Sequence, residues 1–173
     1  MTIIPFFIGG ILGFIAGLLL VLTGPRGILE NRLVFFVLDK VTSIFRAIPF
    51  IILLALINPF TRIIVGTGIG PTAALVPLSL AVFPFFARQV QVVLSELDRG
   101  VIEAAQASGA TFWDIVGVYL REGLPDLIRV TTVTLISLVG ETAMAGAIGA
   151  GGLGNVALTY GYQRFNHDVT ILA

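Results

Sequence analysis

The sequence predicts an all-α integral membrane protein, and three features support that prediction: its composition, its charge-free stretches and the placement of its basic residues. Of 173 residues, 57% are hydrophobic and 12% are charged, and the mean hydropathy is +1.03. A soluble domain is about half apolar and about a quarter charged. So few charged side chains cannot cover a compact globule of this length in water, and lipid is therefore the expected solvent.

Residues 1–25 contain no Asp, Glu, Lys or Arg, and they predict a first spanning helix, Ile3–Leu22. About 20 helical residues are enough to cross the hydrocarbon of a bilayer. A secretory signal peptide is the alternative for this stretch. It lacks basic residues at its start, and Thr23-Gly24-Pro25 is a poor cleavage site, so the spanning helix is favoured.

Three further spanning helices are predicted, at Val41–Ile64, Thr72–Leu94 and Pro125–Ile148. The first of these continues an amphipathic stretch that begins at Leu33. Residues 63–87 carry no charge, and Glu141 is the only charged residue within 130–163. Proline inside such helices is compatible with a membrane, because neighbouring helices and hydroxyl side chains satisfy the freed backbone groups.

The two ends of the chain suggest that it is shorter than its working form. The first predicted helix begins almost at Met1, and residues 168–173 look like the opening turn of a fifth helix. We therefore expect residues 1–173 to form a single transmembrane domain that is shortened at one or both ends.

Eight of the ten basic residues fall around two of the four connections between predicted spans. Those around the first connection are Arg26, Arg32, Lys40 and Arg46, and those around the third are Arg88, Arg99, Arg121 and Arg129. The second and last connections carry one each, Arg62 and Arg164. Basic residues concentrate on the cytoplasmic side of membrane proteins. This distribution predicts an external N-terminus and a cytoplasmic segment 95–124.

The composition also argues against several classes of function. The sequence has no cysteine, so a disulfide framework or a thiolate metal site is impossible, and its single histidine, His167, cannot hold a metal unaided. The net charge is zero, and no Lys/Arg cluster indicates a nucleic-acid partner. An intramembrane enzyme would need clustered catalytic groups within the spans. Neither enzymatic activity nor a bound cofactor is expected.

Segment 95–124 predicts two short helices that are separated by Gly109. Gly109 suits the left-handed position that follows the end of a helix. Thr111 is then placed to cap the second helix, with Asp114 as the acidic partner of a capping box. We expect Trp113 to pack beneath this segment.

Glu103-Ala104-Ala105, followed by three residues and Gly109, forms an EAA motif on the connection that is predicted to be cytoplasmic. On this motif and its placement, the chain resembles the permease subunits of ABC importers. Residues 44–67 resemble the second span and outer loop of the methionine-uptake permeases, and residues 143–154 resemble their fourth span and the loop beyond. The Gly-Ala-Gly-Gly-Leu-Gly run within the latter is shared with osmoprotectant permeases.

The resemblance implies a type I ABC importer permease, with four to five transmembrane helices and short cytoplasmic coupling helices, in the bacterial inner or plasma membrane. It implies a second permease copy, a separate ATPase subunit that binds ATP, and an external substrate-binding (lipo)protein. D/L-methionine is the implied solute. Segment 95–124 is then the coupling segment, in which Glu103, Ala104, Ala105 and Gly109 dock into the ATPase.

Other readings of the function remain open. The solute is another small molecule, such as an osmoprotectant or another amino acid, if the resemblance fails at the level of substrate. A secondary transporter would show inverted repeats and paired broken helices, which the sequence does not suggest. One departure from the family also stands out: Arg121-Glu122 occupies the place of a usual Leu-Pro, and Leu124-Pro125 follows shortly after.

Glu141 and Met144 are the candidate residues of the translocation path. A carboxylate at the centre of a span costs roughly 2.5–3.5 kcal/mol, so Glu141 should face a cavity or a polar partner. It is either a path or gate residue or a hydrated group near the outer mouth. The resemblance places Met144 where the path narrows, and its alternative role is packing.

Overall fold

A computed structural model describes residues 2–146 and 149–172, and the described residues form helices joined by short connections. The elements in chain order are α1 (Ile3–Thr23), α2 (Arg32–Ala47), α3 (Phe50–Val65), α4 (Pro71–Ser95), α5 (Arg99–Ala107), α6 (Phe112–Glu122), α7 (Leu124–Ala145), α8 (Gly152–Asn155), a π-helix (Val156–Tyr162) and α9 (His167–Leu172). The all-α fold class predicted from the sequence is confirmed.

Among the described residues, three helices, α1, α4 and α7, are each long and apolar enough to cross a membrane. They correspond to the first, third and fourth predicted spans. Apart from the C-terminal end of the fourth span, each helix end lies within one residue of the predicted end. The predicted end of the fourth span, Ile148, lies outside the described residues. The expected start of a fifth helix corresponds to α9, which has six residues.

The second predicted span, Val41–Ile64, is not one straight helix. It is divided between α2 and α3, and the helix axis bends by 110° between them. Pro49 causes the break, because a proline ring disfavours the helical conformation of the residue before it. Ile48 is accordingly extended, with φ −83° and ψ 119°. Proline is tolerated inside α3 and α4, as expected, but not at this position.

The helices α1 and α4 run parallel and approach each other at backbone distance. Gly9, Gly13 and Gly17 form a stripe on α1, spaced four residues apart along the face that meets α4. A β-carbon at Gly13 would lie 2.6 Å from the Phe83 carbonyl oxygen, and one at Gly17 would lie 2.5 Å from the Ala87 carbonyl oxygen. Small residues at this spacing allow close helix packing in membranes.

A charged network fastens α2 to α4. One guanidinium nitrogen of Arg88 lies 2.7 Å from the Asp39 carboxylate and donates to the Ser43 hydroxyl at 2.9 Å, and the other donates to Gln91 at 2.7 Å. Both charged side chains are largely buried. Removing one partner of such a pair would leave an uncompensated charge, so the network fixes α2 firmly against α4.

Gly13→Ala is expected to destabilise the protein, because the added methyl group must force α1 and α4 apart at a backbone contact. Overpacking of this kind costs about 1–3 kcal/mol. Gly10→Ala is the matched control, since a β-carbon there meets only the edge of the Phe6 ring at 4.0 Å. Thermal unfolding in detergent should show a lowered midpoint for Gly13→Ala alone, and equal midpoints for the two variants would contradict the close contact.

Candidate coupling surface and translocation path

The EAA helix, α5, ends in a Schellman turn that is centred on Gly109. Gly109 has φ +79°, so it occupies the left-handed region as predicted. The Ala110 N–H donates to the Ala105 carbonyl at 3.1 Å, and the Gly109 N–H donates to the Gln106 carbonyl at 3.0 Å. These two bonds satisfy carbonyls that the helix end would otherwise leave without partners. The turn therefore defines where α5 stops and where the chain reverses.

The predicted capping box at the start of α6 is confirmed. The Thr111 hydroxyl accepts a hydrogen bond from the Asp114 N–H at 3.4 Å, and the Asp114 carboxylate accepts one from the Thr111 N–H at 2.9 Å. The Thr111 hydroxyl also donates to that carboxylate, and these hydrogen bonds lower the pKa of Asp114 below its ordinary value. A charged carboxylate in the first turn also suits the positive end of the helix dipole.

Apolar side chains anchor both short helices to the bundle. Ile102 of α5 and Ile115 and Tyr119 of α6 are buried in one cluster with Leu22 and Leu94, which lie near the ends of α1 and α4. Burial raises the pKa of the Tyr119 hydroxyl, so this side chain stays neutral in the cluster. Each short helix therefore presents one face to the bundle and leaves the other free.

The free face of α5 carries the predicted docking residues. Glu103, Ala104 and Gly109 are exposed, and Ala105 is half-buried. No atom lies within 4 Å of the position that a β-carbon of Gly109 would take. The structure thus brings the four residues together on one short helix and its terminal turn, with only small side chains beside a single carboxylate.

Trp113 does not pack beneath this segment, so that expectation is wrong. It lies on the first turn of α6 with 77% of its surface exposed, and its ring meets Phe112 edge-on at 5.2 Å. The apolar anchoring role belongs to Ile115 and Tyr119 instead. An exposed tryptophan is costly in water and is typical of interface residues. The sequence signal that was missed is the pattern of α6 itself, in which Trp113 lies outside the apolar stripe.

The departure at Arg121-Glu122 leaves α6 and α7 joined almost without interruption. Gly123 alone separates them, in a helical conformation with φ −78° and ψ −8°. Its N–H donates to the Tyr119 carbonyl at 3.0 Å, and its carbonyl accepts from the Leu127 N–H at 2.8 Å. Pro125 lies in the first turn of α7, where a missing N–H costs nothing.

Glu141 lies on α7, about 25 Å along the helix from Leu124 by helical rise. Its Oε2 atom is buried and has no hydrogen-bond partner among the described residues. It lines a cavity that the break between α2 and α3 also borders. The prediction that Glu141 borders a cavity is therefore met, and its role in a translocation path stays a prediction.

Met144 lies one helical turn beyond Glu141 and is 52% exposed. Beyond it, the glycine-rich loop folds back onto the end of α7, and Ala145 and Ala150 are buried by this contact. Gly149, Gly151 and Gly152 all have positive φ. These glycines therefore allow a tight return of the chain. The predicted coupling residues precede α7 in the chain, and the candidate path residues lie toward its C-terminal end.

Comparison with known families and proteins gives a consistent result. Residues 4–171 match the family described as binding-protein-dependent transport system inner membrane component. A Pasteurella multocida protein named probable D-methionine transport system permease protein MetI is 52% identical over 155 residues, which are 89% of this chain and 71% of that protein. The methionine import system permease protein MetP of Bacillus subtilis is 50% identical over 156 residues, which are 90% of this chain and 70% of the MetP sequence.

Solved structures are similar across nearly the whole chain. An inward-facing structure of the MetNI methionine ABC transporter superposes with a TM-score of 0.94 at 48% identity, covering 98% of this chain and 79% of that one. An amino acid ABC transporter crystallised with histidines superposes with a TM-score of 0.75 at 19% identity, covering 99% and 80%. The second likeness concerns the fold alone.

Proposed function

Because the chain belongs to the family of binding-protein-dependent transport system inner membrane components, we propose that it is the permease subunit of an ATP-driven methionine importer. Relatives about half identical to it carry names that specify methionine transport. A fold likeness at a TM-score of 0.94 to a methionine ABC transporter supports the same solute. In this role the chain works in the inner or plasma membrane and performs no chemistry on its substrate.

The observation that carries the proposal is the exposed, small-residue face of α5, which ends at the left-handed Gly109. Small side chains let a helix approach a second surface closely, and Glu103 supplies one charged group at its edge. This face suits docking into a separate ATPase subunit. Segment 95–124 then lies in the cytoplasm and the N-terminus lies outside, as the basic residues predict.

The connection from α6 to α7 supports a direct mechanical route between the ATPase and the path. Hydrogen bonds run through Gly123 from one helix to the next, so a displacement of α6 is passed to α7. Glu141 and Met144 lie far along that helix. ATP favours the closed ATPase dimer, and the docked helices bias the paired spans between inward and outward openings. Two permease copies, related by a two-fold axis, line the path in this mechanism.

The complete transporter is expected to take up L-methionine in an ATP-dependent manner. The test is to reconstitute the permease with its ATPase in proteoliposomes, add the external binding protein, and follow radiolabelled methionine. Vesicles without ATP are the control. Uptake that proceeds without ATP would favour a secondary transporter, and uptake of an osmoprotectant in place of methionine would correct the solute.

Gly109→Leu is expected to abolish ATP-driven uptake and to leave membrane insertion and dimerisation intact. A β-carbon in the left-handed region costs about 1–2 kcal/mol, and the bulky side chain would hold α5 away from its partner. Gly66→Leu is the matched control, because Gly66 ends α3 with φ +81° outside the coupling segment, and a β-carbon there also has open space. Normal uptake by Gly109→Leu with the ATPase still bound would mean that this turn does not transmit coupling.

Trp113→Ala is expected to weaken the association with the ATPase, on the order of tenfold or more, because the exposed ring lies beside the docking face. Tyr162→Ala removes a similarly exposed aromatic ring outside the coupling segment, and it should leave the association unchanged. Titration of the permease with the ATPase in nanodiscs measures both affinities. Equal affinities for wild type and Trp113→Ala would exclude this residue from the interface.

A further inference from the structure

A cavity of about 240 Å³ lies at the break between α2 and α3, and it is lined by two side chains of opposite charge, Glu141 and Arg46. The Oε2 atom of Glu141 is buried there without a hydrogen-bond partner. Within the described parts of the chain, neither side chain forms an ion pair. Arg46 extends to the surface, so the cavity is open on its side.

The cavity lies beside the middle of α4 and toward the C-terminal end of α7, where Glu141 is four residues, about 6 Å, from Ala145. Ala81 and Phe85 of α4 form part of its wall, and each is ten residues from one end of that helix. Ten residues of helical rise are about 15 Å, so the cavity is roughly 15 Å from either end of α4. A charged group at this depth is costly unless something compensates it.

The start of α3 adds a third polar element. Its first residue, Phe50, lines the cavity, and Pro49 provides no side-chain cap for the helix. The N–H groups of Ile52 and Leu53 donate to the Pro49 carbonyl, and the N-terminus of a helix carries a partial positive charge that favours an anion nearby. The cavity thus has a positive side, formed by Arg46 and α3, and a negative side at Glu141.

We propose that this cavity binds the zwitterion of a free amino acid during its passage through the permease. Glu141 accepts hydrogen bonds from the α-ammonium group, while Arg46 and the α3 N-terminus hold the α-carboxylate. A zwitterion carries one charge of each sign and can pair with both charged side chains of the cavity. An apolar solute would leave both side chains without a partner in a medium of low dielectric constant, which is unfavourable. The inference rests on the proposed function, since it places the imported amino acid within the path.

The size and remaining lining of the cavity fit such a ligand. Drug-sized ligands occupy pockets of roughly 300–1,000 Å³, and 240 Å³ is just below that range. Phe45, Leu53 and Phe85 complete the wall with apolar surface, which suits an uncharged side chain such as that of methionine. The charged groups therefore recognise the amino-acid backbone, and the side chain meets hydrophobic contacts.

The test uses the permease–ATPase complex in nanodiscs without the external binding protein, with radiolabelled L-methionine as the probe. Saturable binding is expected for the wild type. 4-(Methylthio)butanoate, which has the same side chain and carboxylate but no ammonium group, should bind roughly 10- to 100-fold more weakly, because one charge-assisted hydrogen-bonded contact is lost. This comparison requires no variant and so does not depend on the folding of one.

Substitutions then assign each charge. Glu141→Gln should weaken methionine binding about 10- to 100-fold and remove most of the preference over the deaminated analogue, whereas Arg46→Gln should weaken both ligands and retain the preference. Glu30→Gln and Arg32→Gln are matched controls, since both residues are exposed and lie outside the cavity. Basal ATP hydrolysis reports assembly of each variant.

The outcomes separate this inference from the proposed function. ATP-driven methionine uptake by a wild-type complex that shows no methionine binding, or a preference over the analogue that survives Glu141→Gln, would overturn the cavity as the site and leave the importer intact. Absence of methionine uptake by the wild type would overturn both. Loss of the preference in Glu141→Gln alone, with unchanged controls, would establish the site.

Discussion

The close contact between α1 and α4 is the constraint on which the rest of the fold depends. Gly9, Gly13 and Gly17 bring the two backbones together, so that α4 becomes a central helix with its remaining faces available. The other membrane helices, α2, α3 and α7, then pack against α4. The buried pair of Arg88 and Asp39 fixes one of them in register. Three glycines on α1 thus position α4, the helix against which the others pack.

The position of segment 95–124 depends on the packed helices α1 and α4. Leu22 and Leu94, near the ends of these two helices, are buried in one apolar cluster with Ile102 and Tyr119 of the segment. This contact is apolar, and the hydrophobic effect does not by itself fix the orientation of the two short helices. The Schellman turn at Gly109 fixes the path of the chain from α5 to α6. Hydrophobic anchoring and local backbone geometry together leave one small-residue face exposed, while α6 continues almost directly into α7.

Sequence reasoning succeeded where the cause is local. The charge-free stretch of α1, the left-handed Gly109 and the capping box of Thr111 each depend on a few adjacent residues, and all three agree with the structure. It failed where the cause lies elsewhere. Proline disfavours a helical conformation in the residue before it, yet Pro49 breaks the span whereas Pro59 is tolerated within α3, and the residue type alone does not distinguish the two. The exposure of Trp113 reflects a surface that this chain alone does not cover. Nothing in the sequence spacing suggests that Arg46 and Glu141 border one cavity.

The failure at Pro49 is also the most informative point about function. A straight second span would satisfy its own backbone and would present only side chains at the point where α2 and α3 meet. The break instead places a helix N-terminus there, beside a basic residue from α2 and opposite a carboxylate on α7. Irregular backbone inside a membrane is tolerated where it lines a cavity. The backbone hydrogen bonds that a continuous helix would have formed are therefore missing beside the cavity that we propose for the solute. Glu141 lies on α7, which follows α6 with only Gly123 between them. In the proposed importer, a movement of α6 that is passed to α7 would change the distance between Glu141 and Arg46. Because the affinity for a zwitterion depends on that distance, the displacement that reorients the spans would also change the affinity for the solute.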